Sequence, residues 1–251
     1  DNKFKICVED FISQDLTITE LAKLISGKNK NNDEFNYSSF PLHRKRTDWL
    51  KFELFKKWTK FNYNFSCSGL ENIDFNENYI FTPNHESHFD SMWMMAFFPK
   101  KMQVRMCSMA ADYLFRKSIY KYGVRIMGGV PVHRNGNTSI AMKRIYDLIA
   151  FENRSLMIHP EGTRSRNGQL GEFKIGAAEL SIKTKIKIIP VGINGARDIF
   201  PPDKKFPKLR TIGEKKRLHF AFGTPLDPLN YSNARELTRE IKKEIIKLKN
   251  I

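Results

Sequence analysis

The sequence is poor in cysteine, and its three thiols, Cys7, Cys67 and Cys107, are widely spaced and form no C-x-x-C pair. That excludes a disulfide scaffold and argues against zinc ligation; an odd, scattered set fits reduced thiols inside a cell. Long apolar runs are missing too. The longest, Met92 to Phe98, is far short of the roughly 20 residues a membrane-crossing helix needs, so no span is expected. There is no initial Met and no signal peptide, and Asp1 points to a fragment or a processed chain. Negative charge is in short supply: 43 Lys and Arg stand against 27 Asp and Glu, a formal net charge of +16. Such a field attracts polyanions or anionic membrane surfaces. A composition rich in both Lys and Asn, as AT-rich coding produces, explains much of the excess equally well. Nucleic acid is not an expected partner, because zinc-finger spacing, an RNP-like aromatic motif and a basic zipper are all absent.

What the sequence does contain is enough for a core. Its 251 residues, 41% of them hydrophobic, suit one large domain or a domain with an appendage. Four segments can be read. Residues 1–26 form a small helical piece, with Leu21, Leu24 and Ile25 on one face and Thr17 or Thr19 as its cap. Residues 27–46 are a polar linker. Residues 47–66 are an amphipathic helix in which Leu50, Leu54, Trp58 and Phe61 share a face, with Lys56, Lys57 and Lys60 mostly opposite. That apolar face either packs on the following domain or lies in a membrane interface with its lysines on anionic head groups.

Residues 67–251 alternate strand-length apolar stretches with helical patterns. The strands are expected at Tyr79 to Thr82, Val104 to Met109, Gly129 to His133, Leu156 to His159, Ile186 to Gly192 and Leu218 to Phe222. The helices are expected at Ser91 to Phe98, Tyr113 to Tyr122, Ser139 to Phe151, Phe173 to Lys183 and Ser232 to Lys249. The alternation indicates an α/β fold, a mixed, largely parallel sheet flanked by helices, with an N-terminal helical appendage. Pairing directions are not fixed by the pattern alone.

Three groups of residues can do chemistry. Asn84-His-Glu-Ser-His-Phe-Asp90 lies where a strand ends and a helix begins, the usual place for a site in such folds. His85 accepts a proton near neutral pH, and a carboxylate on its other nitrogen would fix its tautomer and steady the imidazolium. Five residues make about 140° on a helix, so His85 and Asp90 converge only if His85 lies in the entering turn and Asp90 in the first helical turn. A competing reading makes Ser87-x-x-Asp90 a capping box with no chemistry. A zinc motif is not expected, because the pair His85 and His88 is one residue short of H-E-x-x-H. The second group, His159-Pro-Glu-Gly-Thr-Arg-Ser-Arg-Asn-Gly168, follows another buried strand. Gly162 exposes backbone N–H groups there, Glu161 accepts hydrogen bonds, and Arg164 can grip phosphate through two donors. The third, Gly128-Gly-Val-Pro-Val-His-Arg134, delivers a second arginine. Two arginines from different strand ends beside a His–Asp pair suggest a pocket for an anionic substrate next to a proton acceptor.

In their order these segments resemble the glycerolipid acyltransferases, a family that includes the lysophosphatidic acid acyltransferases. The His-x4-Asp block is matched by Asn84 to Asp90 and the Gly-x5-Arg block by Gly128 or Gly129 to Arg134. Pro160 to Ser165 match Pro-Glu-Gly-Thr-Arg-Ser, Ile189-Pro190-Val191 matches the short Pro-Val block, and Phe173-Lys-x-Gly176 is also typical. The likeness covers about Cys67 to Asp227. It departs at His159, where the family commonly has Phe, which bears on local packing more than on chemistry. Residues 1–26 resemble the closing part of an acyl carrier protein, although an incidental two-turn helix reads equally well.

The resemblance implies an acyltransferase domain that moves a fatty acyl group from a thioester, on coenzyme A or an acyl carrier protein, to the free hydroxyl of a lysophospholipid. 1-Acylglycerol-3-phosphate and lysophosphatidylethanolamine are the acceptors in view; a genuine carrier-like N-terminus would tilt the choice to the latter, because some members are fused to an acyl-activating ligase. It further implies His85 and Asp90 as the catalytic pair, without an acyl-enzyme. Arg134 and Arg164 would hold the acceptor phosphate, Glu161 would place its glycerol, and Gly162 and Thr163 belong to the substrate-binding turn. No cofactor and no metal are expected. The partners would be the thioester donor, the lysophospholipid and an anionic membrane surface, the protein sitting in the cytoplasm, peripheral on the inner face of the membrane. A serine hydrolase is disfavoured because Gly-x-Ser-x-Gly is missing, and P-loop and dinucleotide fingerprints are missing as well. The alternative is a non-catalytic membrane-surface or carrier-interacting module with a decayed site.

Overall fold

The structure, a computed structural model, describes residues 36–116, 118–132, 139–165, 167–210 and 214–249. The helical piece read over residues 1–26 lies outside them. Helix α1 is Arg46–Asn62 and leads into β1, Tyr63–Ser68. There follow β2 (Ile80–Pro83), α2 (Asp90–Met95), α3 (Lys100–Arg105), β3 (Met106–Ala111), α4 (Tyr113–Arg116) and α5 (Ser118–Ile126). Then come β4 (Gly129–Val132), α6 (Ser139–Ala150), β5 (Ser155–Met157), α7 (Gly176–Thr184) and β6 (Ile188–Asn194). Last are α8 (Ala196–Ile199), β7 (Lys216–Phe222) and α9 (Ala234–Lys249).

The strands form one seven-stranded sheet, ordered β1-β7-β6-β2-β5-β3-β4. All neighbours run parallel except β6 and β7, so the sheet is mixed and mostly parallel, as expected. Both of its faces are covered, which is why the central strands read as continuous apolar runs without polar alternation. Successive residues point to opposite sides. Phe81, Met157 and Ile189 join Trp93, Met94, Met102 and Phe52 on one face, while Ile80, Leu156 and Ile188 join Met142, Ile145, Leu180 and Ile241 on the other. Gly128 lies in the turn into β4 at φ +62°, where a Cβ would sit 2.2 Å from the Met106 carbonyl oxygen, so no other residue fits without moving backbone.

The strand expected from Val104 begins at Met106, because Val104 and Arg105 end the unexpected helix α3, and three further expectations change in the N-terminal part. The helix read over 47–66 ends at Asn62, and Tyr63 to Ser66 belong to β1, paired in register with Lys216 to His219. The end of the polar linker packs onto the domain: Phe40 is buried against Phe115, and Arg44 donates to the carbonyls of Val104, Met106 and Ile126. Of the apolar face expected on α1 only Trp58 packs against the core, and the rest of the inward-facing side is made by other residues. Asp48, Phe52, Thr59 and Asn62 are buried, whereas Leu50, Leu54 and Phe61 are 65%, 57% and 58% exposed. Polar groups are affordable on the inner face because each is satisfied. Asp48 takes Arg125 Nη2 at 2.6 Å and the Lys45 N–H at 2.8 Å, and Thr59 and Asn62 donate to carbonyls one turn back.

Candidate active site

Parallel β2 and β5 are neighbours, so their C-terminal ends open onto one edge of the sheet. The segment after β2 carries Asn84 to Phe89, and the segment after β5 carries Ile158 to Ser165. At this edge His85 lies in the entering turn and Asp90 opens α2, the arrangement that lets them meet. His85 Nδ1 is 2.9 Å from Asp90 Oδ2, and the same oxygen accepts the N–H groups of Glu86 at 2.7 Å and Ser87 at 2.8 Å. Ser87 does not cap α2, whose N-cap is Phe89 with no side-chain cap bond, so the capping-box reading of Ser87-x-x-Asp90 gives way to the contact with His85.

A carboxylate only accepts, which fixes the hydrogen of His85 on Nδ1 and puts its basic lone pair on Nε2. Asp90 is fully buried, and among the described residues its Oδ1 meets no partner. Burial pushes its pKa up to about 6 against the pull of the two N–H groups and the positive charge of Arg164.

Glu161 ties the two segments together. Its Oε1 accepts the His85 N–H at 2.9 Å and its Oε2 accepts the Gly171 N–H at 2.9 Å, while the Ser165 N–H reaches the His85 carbonyl at 2.8 Å. Burial raises the pKa of Glu161 against those bonds. Gly162 turns the chain at φ +67°, and its own N–H closes the turn on the His159 carbonyl at 3.0 Å. A Cβ there would touch Lys174 Cε at 3.0 Å, so the lysine side chain lies across the turn. Thr163 is exposed and Arg164 half-buried. Arg134 lies outside the described residues; β4, which leads to it, ends at Val132 beside the parallel β3.

Histidine at 159 preserves the flat packing expected of Phe. Its ring stacks on that of His85 with centroids 3.7 Å apart and planes 16° from parallel. Nδ1 faces the carbonyls of Pro83 and Asn84 at 3.2 and 3.3 Å, and Nε2 accepts from Ser91 Oγ at 3.3 Å. Burial and the adjacent His85 push its pKa down to about 3, so it stays neutral. His85, Asp90 and His159 hold ligand-type atoms within 4.8 Å of one another. A metal there would have to displace the bonds just described.

Sequence reading passed over two supports of this edge. Lys249, at the end of α9, forms an ion pair with the buried Glu86, whose Oε1 also accepts from Asn84 Nδ2 at 3.2 Å. Asn84 in turn bonds the Ile193 backbone through both ends of its amide. His88 meets Arg164 across the two segments. A buried Glu inside a histidine motif is the one clue to the first, since such a group needs a cation from elsewhere.

Comparison with known proteins agrees with this architecture. The family model described as Acyltransferase matches residues 64–194, more than half of the chain, and the protein belongs to that Acyltransferase family. It is 29% identical over 151 residues to a 1-acyl-sn-glycerol-3-phosphate acyltransferase of Streptococcus pneumoniae, covering 60% of this chain and 51% of the relative. It is 31% identical over 130 residues to the human beta enzyme of the same name, covering 51% and 45%. The chain thus spans about half the length of these curated relatives. The crystal structure of the 1-acyl-sn-glycerophosphate acyltransferase PlsC from Thermotoga maritima shares the fold, with a TM-score of 0.64, 21% identity and 82% of each chain covered.

Proposed function

We propose that the protein transfers a fatty acyl group from a thioester, on coenzyme A or an acyl carrier protein, to the free hydroxyl of 1-acylglycerol-3-phosphate or a related lysophospholipid. The observation that carries this reading is the 2.9 Å contact of His85 with the buried Asp90 at the strand edge that also bears Arg164. The names of the relatives support the choice of acceptor. In the proposed reaction His85 Nε2 takes the hydroxyl proton as the oxygen attacks the thioester carbonyl. Asp90 steadies the imidazolium. Collapse of the tetrahedral oxyanion expels the thiolate, which recovers the proton from His85, so no acyl-enzyme forms.

The oxyanion would be met by backbone N–H groups of the Gly162 turn other than that of Gly162 itself, one such donor commonly contributing about 3 kcal/mol. Arg164, with Arg134, grips the acceptor phosphate. Glu161, whose two oxygens already hold backbone N–H groups, is assigned to fixing the turn that presents Thr163 and Arg164.

Thiol release measured with a matrix of donors and acceptors tests the proposal. Release should require a lysophospholipid, and Arg164→Ala should impair phosphorylated acceptors at least tenfold more than neutral monoacylglycerol, since a charge-assisted bidentate contact is lost. Equal losses would sink the arginine assignment. Inactivity of the wild-type protein with every donor and acceptor would favour the non-catalytic module.

Membrane attachment belongs to the same proposal. No helix among the described residues is long and apolar enough to cross a bilayer. Leu50, Leu54 and Phe61 stand exposed along α1, and the loop beside them exposes Phe206 and Leu209 among Lys204, Lys205, Lys208 and Arg210. Arg210 lies 4.2 Å from the centre of the Phe61 ring, which joins loop and helix in one surface. Apolar side chains ringed by cations suit an anionic bilayer interface. Leu54→Ser with Phe61→Ser should weaken binding to vesicles containing phosphatidylglycerol at least about tenfold, because two exposed apolar side chains lose their burial. Unchanged vesicle binding would rule this surface out.

A further inference from the structure

The proposed reaction uses His85 and Asp90 of the first motif and leaves its second histidine without a task. His88 is half-buried in the turn just before α2, its ring 5.3 Å from that of Phe200. One ring nitrogen, Nε2, meets Arg164 Nη1 from the opposite segment. A guanidinium has only donors, so Nε2 must be the acceptor in this contact. A neutral imidazole that accepts at Nε2 carries its hydrogen on Nδ1, so the contact with Arg164 and the packing against Phe200 set one tautomer and one orientation of the ring.

We infer that His88 is a positioning residue that orients the Arg164 guanidinium toward the phosphate of the acceptor. The inference rests on the reading that Arg164 binds that phosphate. Arginine reaches its ligand on a long arm with several free torsions, and a two-point grip on phosphate requires the plane of the guanidinium to be set. Holding one donor on a fixed ring sets that plane before the ligand arrives. Less ordering then remains to be done on binding, which appears as affinity. Burial and the neighbouring Arg164 both depress the pKa of His88, which keeps its ring in the neutral, accepting form. Ser165, next to Arg164 in the chain, donates its N–H to the His85 carbonyl at 2.8 Å, so the arginine that His88 holds stands on the same strand edge as the proposed catalytic pair.

The test compares His88→Phe, His88→Gln and Arg164→Ala in the full chain, with lysophosphatidate and monoacylglycerol as acceptors. Phe keeps a flat ring against Phe200 but accepts nothing, whereas the Gln carbonyl can accept from the guanidinium. Loss of the orienting contact should raise KM for lysophosphatidate in His88→Phe about tenfold, with kcat moving less. KM for monoacylglycerol should stay close to that of wild type, and His88→Gln should recover most of the loss. If Arg164→Ala raises the lysophosphatidate KM and His88→Phe does not, the inference is wrong while the reading of Arg164 stands. Equal defects in His88→Phe and His88→Gln, or a defect shared with monoacylglycerol, would mark a packing role and overturn it also. If Arg164→Ala leaves that KM unchanged, the reading of Arg164 falls and the inference falls with it.

Discussion

His85→Ala is expected to lower acceptor-dependent thiol release by about 10² to 10⁴, the usual worth of a positioned general base. The effect should fall on kcat and kcat/KM alike, because the ring acts on the hydroxyl proton in the transition state and not on the lipid chain. The fold should survive. Without the imidazole Asp90 Oδ2 keeps the N–H groups of Glu86 and Ser87, and Glu161 keeps its bond to the backbone of residue 85. A circular-dichroism melt close to that of wild type, together with activity within tenfold of wild type, would remove His85 from the chemistry.

Asp90→Asn is the second large effect, and it should move activity and stability in opposite directions. The Asn amide can copy the shape of the carboxylate but carries no charge. The imidazolium formed as the hydroxyl attacks then loses its counter-ion, and the tautomer of His85 is no longer fixed. The corresponding change in serine protease triads costs about 10⁴ in kcat, and a loss of that order is expected here.

Stability follows from the direction of the pKa shift. Burial holds Asp90 at about 6, above its ordinary 3.8. The folded state therefore binds the proton more tightly than the unfolded chain. The stability this contributes is complete below the unfolded value and is lost as pH rises through about 6. At pH 7 the native protein bears a buried anion, and the neutral Asn does not. Asp90→Asn should accordingly melt higher at pH 7, with the advantage vanishing near pH 4. An inactive variant that also melts lower at pH 7 would contradict this account of the buried charge. In the wild type, kcat/KM should decline on the acid side as Asp90 takes up its proton near pH 6 and can no longer steady the imidazolium.

Much of this was legible in the residues because the site is built from short segments that follow buried strands. Runs such as Ile80-Phe81-Thr82 and Ser155-Leu156-Met157 are apolar enough to mark strands covered on both faces, and the polar residues after each run mark the functional edge. Strand β1 was not legible. Tyr63, Phe65 and Cys67 alternate with Asn64, Ser66 and Ser68, but they continue an aromatic helix whose spacing swallows them. The inner face of α1 was misjudged for a related reason. Its buried Asp48, Thr59 and Asn62 are tolerated through Arg125, distant in sequence, and through carbonyls one helical turn back, and hydropathy registers neither kind of partner. The links of His88 to Arg164 and of Lys249 to Glu86 were out of reach on the same ground, since each joins residues far apart along the chain.

One pairing has a consequence for synthesis. The strand that opens the sheet, β1, is matched along its length to β7, and the motif's Glu86 waits for Lys249 at the end of the closing helix. A chain still emerging from the ribosome therefore holds the edge of β6 bare until β7 has been made. Folding of this kind is governed by distant contacts and is slow, and the half-made protein is the form most in need of a chaperone's shelter.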